Sequence, residues 1–242
     1  MAPPLNRREV IAASATALVL ESGVAQAALI KGALPFRPGG TNPPDGATPG
    51  PWQFFTPEEA TTVEAIVDRL IPADALSPGG KDVGCAVYID RQLAGPYGHF
   101  GGWYMKGPFQ RGTPQQGEQS DVTFAERYRK WLAALEDHCR QAFGMRFADL
   151  SNERKDQVIK DLEDDKLKLG EASGKDFFKQ ILTDTQQGFF ADPIYGGNKD
   201  MASWKMIGFP GTHYDYREWV ERPNQTVTLP PVSIKDQSSS SR

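Results

Sequence analysis

Few side chains in this protein have types and spacing suited to chemistry. The 242 residues include 3 His and 2 Cys. A three-histidine metal site would need all of His99, His138 and His213, which lie far apart in sequence. His138 and Cys139 are adjacent, so on a helix they point about 100° apart and form no local pair. Two thiols cannot build a four-thiolate zinc or iron–sulfur centre. The G-x-S-x-G, H-E-x-x-H, C-x-x-C and C-x-x-C-H patterns are all absent. Gly95, Gly98, Gly101 and Gly102 resemble a phosphate loop only loosely, because they follow a helical pattern rather than a strand. Asp192 and Asp200 flank a glycine turn and read as turn-forming rather than catalytic. The formal charge of −4 argues against a nucleic-acid binder.

One segment stands apart. Asp192-Pro193-Ile194-Tyr195-Gly196-Gly197-Asn198 is followed by Trp204 and then by Ile207-Gly208-Phe209-Pro210-Gly211. Its Pro, paired Gly and Asn impose a turn that no helix could continue. A second loop, residues 95–109, carries Tyr97, Phe100, Trp103, Tyr104 and Phe109. Residues 95–109 and 189–222 together hold 13 of the 25 aromatics. Aromatics on such loops cover the protein's own helices, grip a sugar, or anchor in a partner.

The elements that must position these loops are helical. Thr56, Pro57 and Glu59 make a capping box that opens a helix with Ala60, Val63, Val67 and Leu70 on one face, ended by Pro72. Cys85 to Leu93 reads as a second, short helix. Thr123 and Glu126 open a long one, with Phe124, Tyr128, Trp131, Leu135, Cys139 and Ala142 as its stripe and Gly144 as its stop. Ser151 caps a third long helix with Val158, Ile159 and Leu162 inside. Phe177, Phe178, Ile181, Leu182 and Thr185 mark a fourth, running towards Phe190. Period-2 runs are nearly absent. The fold expected is mainly α: an irregular bundle of four to six helices with long Gly/Pro/aromatic-rich loops, an extended N-terminal arm and a C-terminal tail. Gly and Pro together make 43 of the 242 residues, so much of the chain is loop.

The N-terminus reads as an address. Arg7-Arg8 precedes a weakly apolar run from Val10 to Leu20, and Ala25-Gln26-Ala27 supplies a small-residue cleavage pattern. That run of 11 residues is too short to span a membrane. Residues 1–27 are therefore expected to be a twin-arginine signal peptide, the route for proteins that fold before export. Residues 28–53 form a Gly/Pro-rich arm, residues 54–220 a helical domain, and residues 221–242 an extended Pro/Ser-rich tail. Export to an oxidising periplasm makes a Cys85–Cys139 disulfide the expectation, worth roughly 4 kcal/mol in the chain-entropy model. The alternative is a pair of buried free thiols.

Thr56-Pro57-Glu58-Glu59-Ala60, Val63-Glu64-Ala65-Ile66 and Arg69-Leu70-Ile71-Pro72 resemble the opening helix of the gluconate 2-dehydrogenase subunit 3 family. Pro78-Gly79, Gly84 and Tyr88-Ile89-Asp90 follow in the same order, and residues 192–211 are similar to the family's closing signature. The resemblance covers roughly residues 54–212; the long arm and Ser-rich tail depart from it. It implies a small subunit of a membrane-associated sugar or sugar-acid dehydrogenase complex, without catalytic, cofactor-binding or metal-binding residues of its own. It also implies a large flavoprotein partner carrying FAD, with an iron–sulfur cluster as an option, and a multihaem cytochrome c partner carrying haem c. The small subunit would accompany the large one through export, serve its folding and stability, and reach the membrane only through its partners. Choice of sugar would fall to the large subunit. On this resemblance Tyr195, Gly196, Gly197, Asn198, Trp204, Gly208, Phe209, Pro210 and Gly211, with Trp103, are the expected interface or signature residues. The same aromatic loops also suit a free-standing periplasmic carbohydrate-binding protein, and a stand-alone hydrolase or oxidoreductase is a third possibility.

Overall fold

A computed structural model describes residues 50–234, apart from 111, 171, 214–216 and 227–228. All of these belong to the unit Pro35–Arg242. Arg7 and Arg8, the signal peptide, the arm up to residue 49 and the tail from residue 235 lie outside the described residues.

Helix α1 (Pro57–Leu70) begins at the Thr56/Glu59 capping box, in which Glu59 N–H donates to Thr56 Oγ1 at 3.2 Å and Thr56 N–H donates to Glu59 Oε2 at 2.9 Å. Helix α2 (Cys85–Ala94) starts after Gly84, whose φ of 84° suits a residue without a Cβ. Helix α3 (Phe124–Phe143) carries the second capping box and stops at Gly144, φ 71°. Helix α4 (Asn152–Glu163) is capped by Ser151. Strands β1 (Lys168–Leu169) and β2 (Ala172–Ser173) form a minimal antiparallel ladder that leads into α5 (Gly174–Phe190). Two short helices follow, α6 (Ala202–Ile207) and α7 (Arg217–Val220).

The structure is mainly helical, and α5 is its centre: it packs against α1, α2, α4 and α6. Val63 and Val67 of α1, Ile89 and Leu93 of α2, Tyr128 and Leu135 of α3, Val158 of α4, and Phe177 and Ile181 of α5 are buried in one core. Each such side chain contributes on the order of 1.5–3 kcal/mol by leaving water. Among the described residues no helix is long and apolar enough to cross a membrane.

Two buried carboxylates tie loops to this core. Asp90 on α2 is fully buried and accepts from three consecutive backbone N–H groups, Gln53, Phe54 and Phe55, at 2.8–2.9 Å. Arg91 pairs with it. The segment entering α1 is thus fixed before the helix begins, and Trp52, assigned by composition to the arm, packs on the core. The second carboxylate, Asp184, is described below.

The expected Cys85–Cys139 disulfide is not formed. Both cysteines are free and fully buried. Each sits on the core face of its own helix, packed as a small apolar residue. Burial pushes each thiol up to about 12.

Candidate functional site

The signature is a chain of short turns held by its own polar groups. Asp192 opens a 3-10 turn, Pro193–Tyr195, by accepting Ile194 N–H on Oδ1 at 3.0 Å. Gly196 then takes φ 99°. Asn198, Asp200 and Met201 adopt φ of 46°, 58° and 56°. Three non-glycine residues in the left-handed region within four positions is stored backbone strain, tolerable only where the surroundings fix it. Asn198 supplies that fixing: fully buried, it donates to Ala191 O at 2.9 Å and accepts from Ser203 N–H and Ser203 Oγ at 3.0 and 2.8 Å.

The inner side of the signature is spent on close packing. A Cβ on Gly197 would overlap the Gly188 carbonyl of α5, and a Cβ on Gly188 would meet Tyr88 of α2 at 3.0 Å. Lys199 N–H reaches Val83 O at 3.0 Å, so the turn sits on the N-terminus of α2. Trp204 is 4% exposed and donates from Nε1 to Phe190 O at 2.9 Å. Its ring meets Phe209 edge-on at 5.1 Å. Gly208 ends α6 at φ 70°.

The signature also holds a strap from the tail. Pro210 O accepts Val232 N–H at 3.2 Å, Thr212 N–H donates to Val232 O at 2.8 Å, and Gly211 bridges Val232 in parallel. A Cβ on Gly211 would strike the Val232 backbone. Asp192 accepts Ser233 Oγ on Oδ1 at 2.7 Å and Ile234 N–H on Oδ2 at 2.9 Å. Residues 229–234, read from composition as unable to fold alone, are ordered here on the chain's own signature.

The outer side is apolar and open. Phe190, Tyr195, Met206, Ile207 and Phe209 are 44%, 37%, 37%, 56% and 43% exposed. The structure therefore sorts the sequence candidates. Gly196, Gly197, Asn198, Trp204, Pro210 and Gly211 shape the turn and its contacts, while Tyr195 and Phe209 face out. Trp103 is half-exposed, stacked on Phe100 at 5.4 Å and edge-on to Phe124 at 5.8 Å.

The loop that carries Trp103 is anchored through Asp184, a residue the sequence reading missed. Tyr97 OH and Tyr128 OH donate to its two oxygens at 3.0 and 2.6 Å, and Gln180 Nε2 lies 3.0 and 3.1 Å from them. Burial holds the Asp184 carboxyl above the usual carboxylate range, although these hydrogen bonds oppose the shift. Burial, with Asp184 nearby, raises both phenols. The signal that could have found Asp184 is its register. Phe177, Ile181, Asp184 and Gly188 fall on one helical face, and a carboxylate on an apolar stripe needs buried donors.

Among the described residues no group of three or more His, Cys, Asp or Glu is arranged to hold a metal ion. An open groove of about 1330 Å³ runs between residues 109–122 and helices α3 and α5, past Arg127, Lys130, Trp131 and Lys179. Its volume exceeds the ~300–1,000 Å³ of a small-molecule pocket. A smaller cavity of about 250 Å³ lies between α1 and α3, lined by Glu58, Thr62, Glu136 and Arg140 among others.

The family model for gluconate 2-dehydrogenase subunit 3 matches residues 57–211, from the first residue of α1 to the glycine that bridges the strap. The chain belongs to the gluconate 2-dehydrogenase subunit 3 family. No curated protein and no solved structure matches it.

Proposed function

We propose that this protein is the non-catalytic small subunit of a periplasmic, membrane-associated, flavin-dependent sugar or sugar-acid dehydrogenase complex. It serves the folding, stability and twin-arginine export of a large FAD-carrying subunit. A multihaem cytochrome c subunit takes the electrons onward. The observation that carries this reading is the extent of the family match, which coincides with the helical body rather than with a fragment of it. The Arg7-Arg8 leader supports export. The apolar outer side of the signature supports life beside another chain.

In this reading the small subunit binds only the folded form of its partner, so it stabilises that form by mass action. The test is to express the large subunit with and without this chain and to assay dye-linked sugar-acid oxidation in the periplasm. Activity is expected only with both. An active, exported flavoprotein in the absence of this chain would refute the proposal. Saturable heat on titrating gluconate or glucose into the isolated chain would favour the carbohydrate-binding alternative instead.

A further inference from the structure

We infer that Asp192 and residues 210–213 form a binding site for an extended peptide, and that residues 230–234 are its tethered, exchangeable occupant. Main-chain groups of the occupant make most of the contacts. Pro230 O lies 3.2 Å from His213 Nε2, and Val232 N–H donates to Pro210 O at 3.2 Å. Val232 O accepts Thr212 N–H and Thr212 Oγ1 at 2.8 and 2.9 Å. Such bonds hold a backbone whatever its side chains, as in strand addition. Gly211 permits the approach, since a Cβ there would lie 2.3 Å from Val232 O. Selection falls on one position. Ser233 is 2% exposed and donates to Asp192 Oδ1 at 2.7 Å, and the next N–H, that of Ile234, donates to Oδ2 at 2.9 Å. The site therefore takes a small hydroxyl residue followed by any residue but proline.

Two observations mark the occupant as separable from its site. The family match ends at residue 211, so Asp192, Pro210 and Gly211 lie within it and residues 230–234 lie beyond it. The path from α7 to the strap runs through residues 221–226, every one of them exposed. The strap is thus a ligand on a tether, presented at an effective concentration on the order of mM for a short linker. Pro230 and Pro231 fix φ along the arriving chain, which lowers the cost of ordering it. When the strap leaves, Asp192 loses two of its three described donors, Ser233 Oγ and Ile234 N–H, and keeps Ile194 N–H. A buried carboxylate short of donors favours refilling. An extended segment that offers the same hydroxyl and N–H supplies what is missing.

The test uses the full chain in two measurements. The first is native-state hydrogen exchange on the unsubstituted protein. The Val232 and Ile234 amides are expected to exchange about 100-fold or more faster than those of Ile89 and Ile181, because the strap opens while the helices stay folded. Exchange of all four at one rate would mean that the strap leaves only on global unfolding, which overturns the inference. The second is fluorescence anisotropy with a labelled peptide of residues 227–236, added to the full chain carrying Val232→Pro, which removes the strap's N–H to Pro210. Saturable binding is expected. It should be about tenfold or more weaker to the parent chain, whose own strap competes. It should weaken by about tenfold again for the peptide carrying Ser233→Ala. No binding to a Val232→Pro chain that still melts cooperatively, or binding indifferent to both changes, would overturn the inference. If that variant fails to fold, the exchange rates decide alone. Neither measurement involves a large subunit, so the subunit reading stands or falls separately.

Discussion

Gly197 shows how little freedom the signature leaves its residues. It needs no left-handed backbone; it needs the absence of a Cβ, because the Gly188 carbonyl occupies that space. Gly197→Val is expected to lower the urea-derived unfolding free energy by about 3 kcal/mol or more, with α5 displaced to relieve the overlap. A variant within 0.5 kcal/mol of the parent, on the order of a neutral surface change, would contradict the packing described. Asp184 makes the other residue-scale case. Its carboxyl is raised in the folded chain, so folding favours the protonated form. The resulting stabilisation is complete below the unfolded carboxylate value of about 4 and is lost as pH rises through the raised folded value. Asp184→Asn should flatten stability over that window, measured as urea midpoints at successive pH values. A slope equal to the parent's would assign the effect to another group. Asp184→Ala should instead cost about 2–4 kcal/mol near neutral pH, since the buried Tyr128 O–H and the half-buried Tyr97 O–H lose their acceptor.

At the scale of elements, the five longer helices were legible from sequence because each carries an apolar period and most carry a side-chain cap. Thr123 accepts Glu126 N–H at 3.3 Å, as the Thr-x-x-Glu spacing predicts. Thr123→Ala should therefore cost about 1 kcal/mol, read from the thermal or urea midpoint. What stayed illegible has equally physical causes. Strands β1 and β2 are two residues each, too short to show a period. The six residues of α6 lie inside the Gly/Pro signature, where turn chemistry masks them. The strap is ordered by backbone hydrogen bonds and by Asp192, and no apolar pattern announces either. The cysteines were misjudged because compartment was weighed and helix face was not: both thiols sit on core stripes. Neither should react with a thiol reagent until the chain unfolds, whereupon both should titrate without added reductant. Reaction of neither thiol after unfolding would establish a disulfide.

For the molecule as a whole, the sequence identified the fold class and the family, but not the division of labour within the closing motif. The signature motif drew attention as a set of aromatic and glycine residues of one kind. In the structure it is two-sided. Trp204 and Asn198 are 4% and 0% exposed and hold the turn, while Ile207 and Phe209 are 56% and 43% exposed and are available to another chain. Only tertiary packing decides which side chain faces which way. Asp90 and Asp184 were hidden for a related reason: a charge within an apolar stripe reads as a surface position until its donors, supplied by distant segments, are in place. Asp90 takes its donors from residues 53–55 and Asp184 takes two of its donors from Tyr97 and Tyr128.

Ser233 and Ile234 lie 41 and 42 residues beyond Asp192 in the chain, so the ribosome delivers them only after the signature itself. Until they arrive, Asp192 keeps Ile194 as its one described donor, and an unpaired buried acceptor costs about 1–3 kcal/mol. Folding of the signature is therefore completed by a late, C-terminal event. A chain halted before Pro230 would lack the Ser233 and Ile234 donors to Asp192 at the family's closing motif.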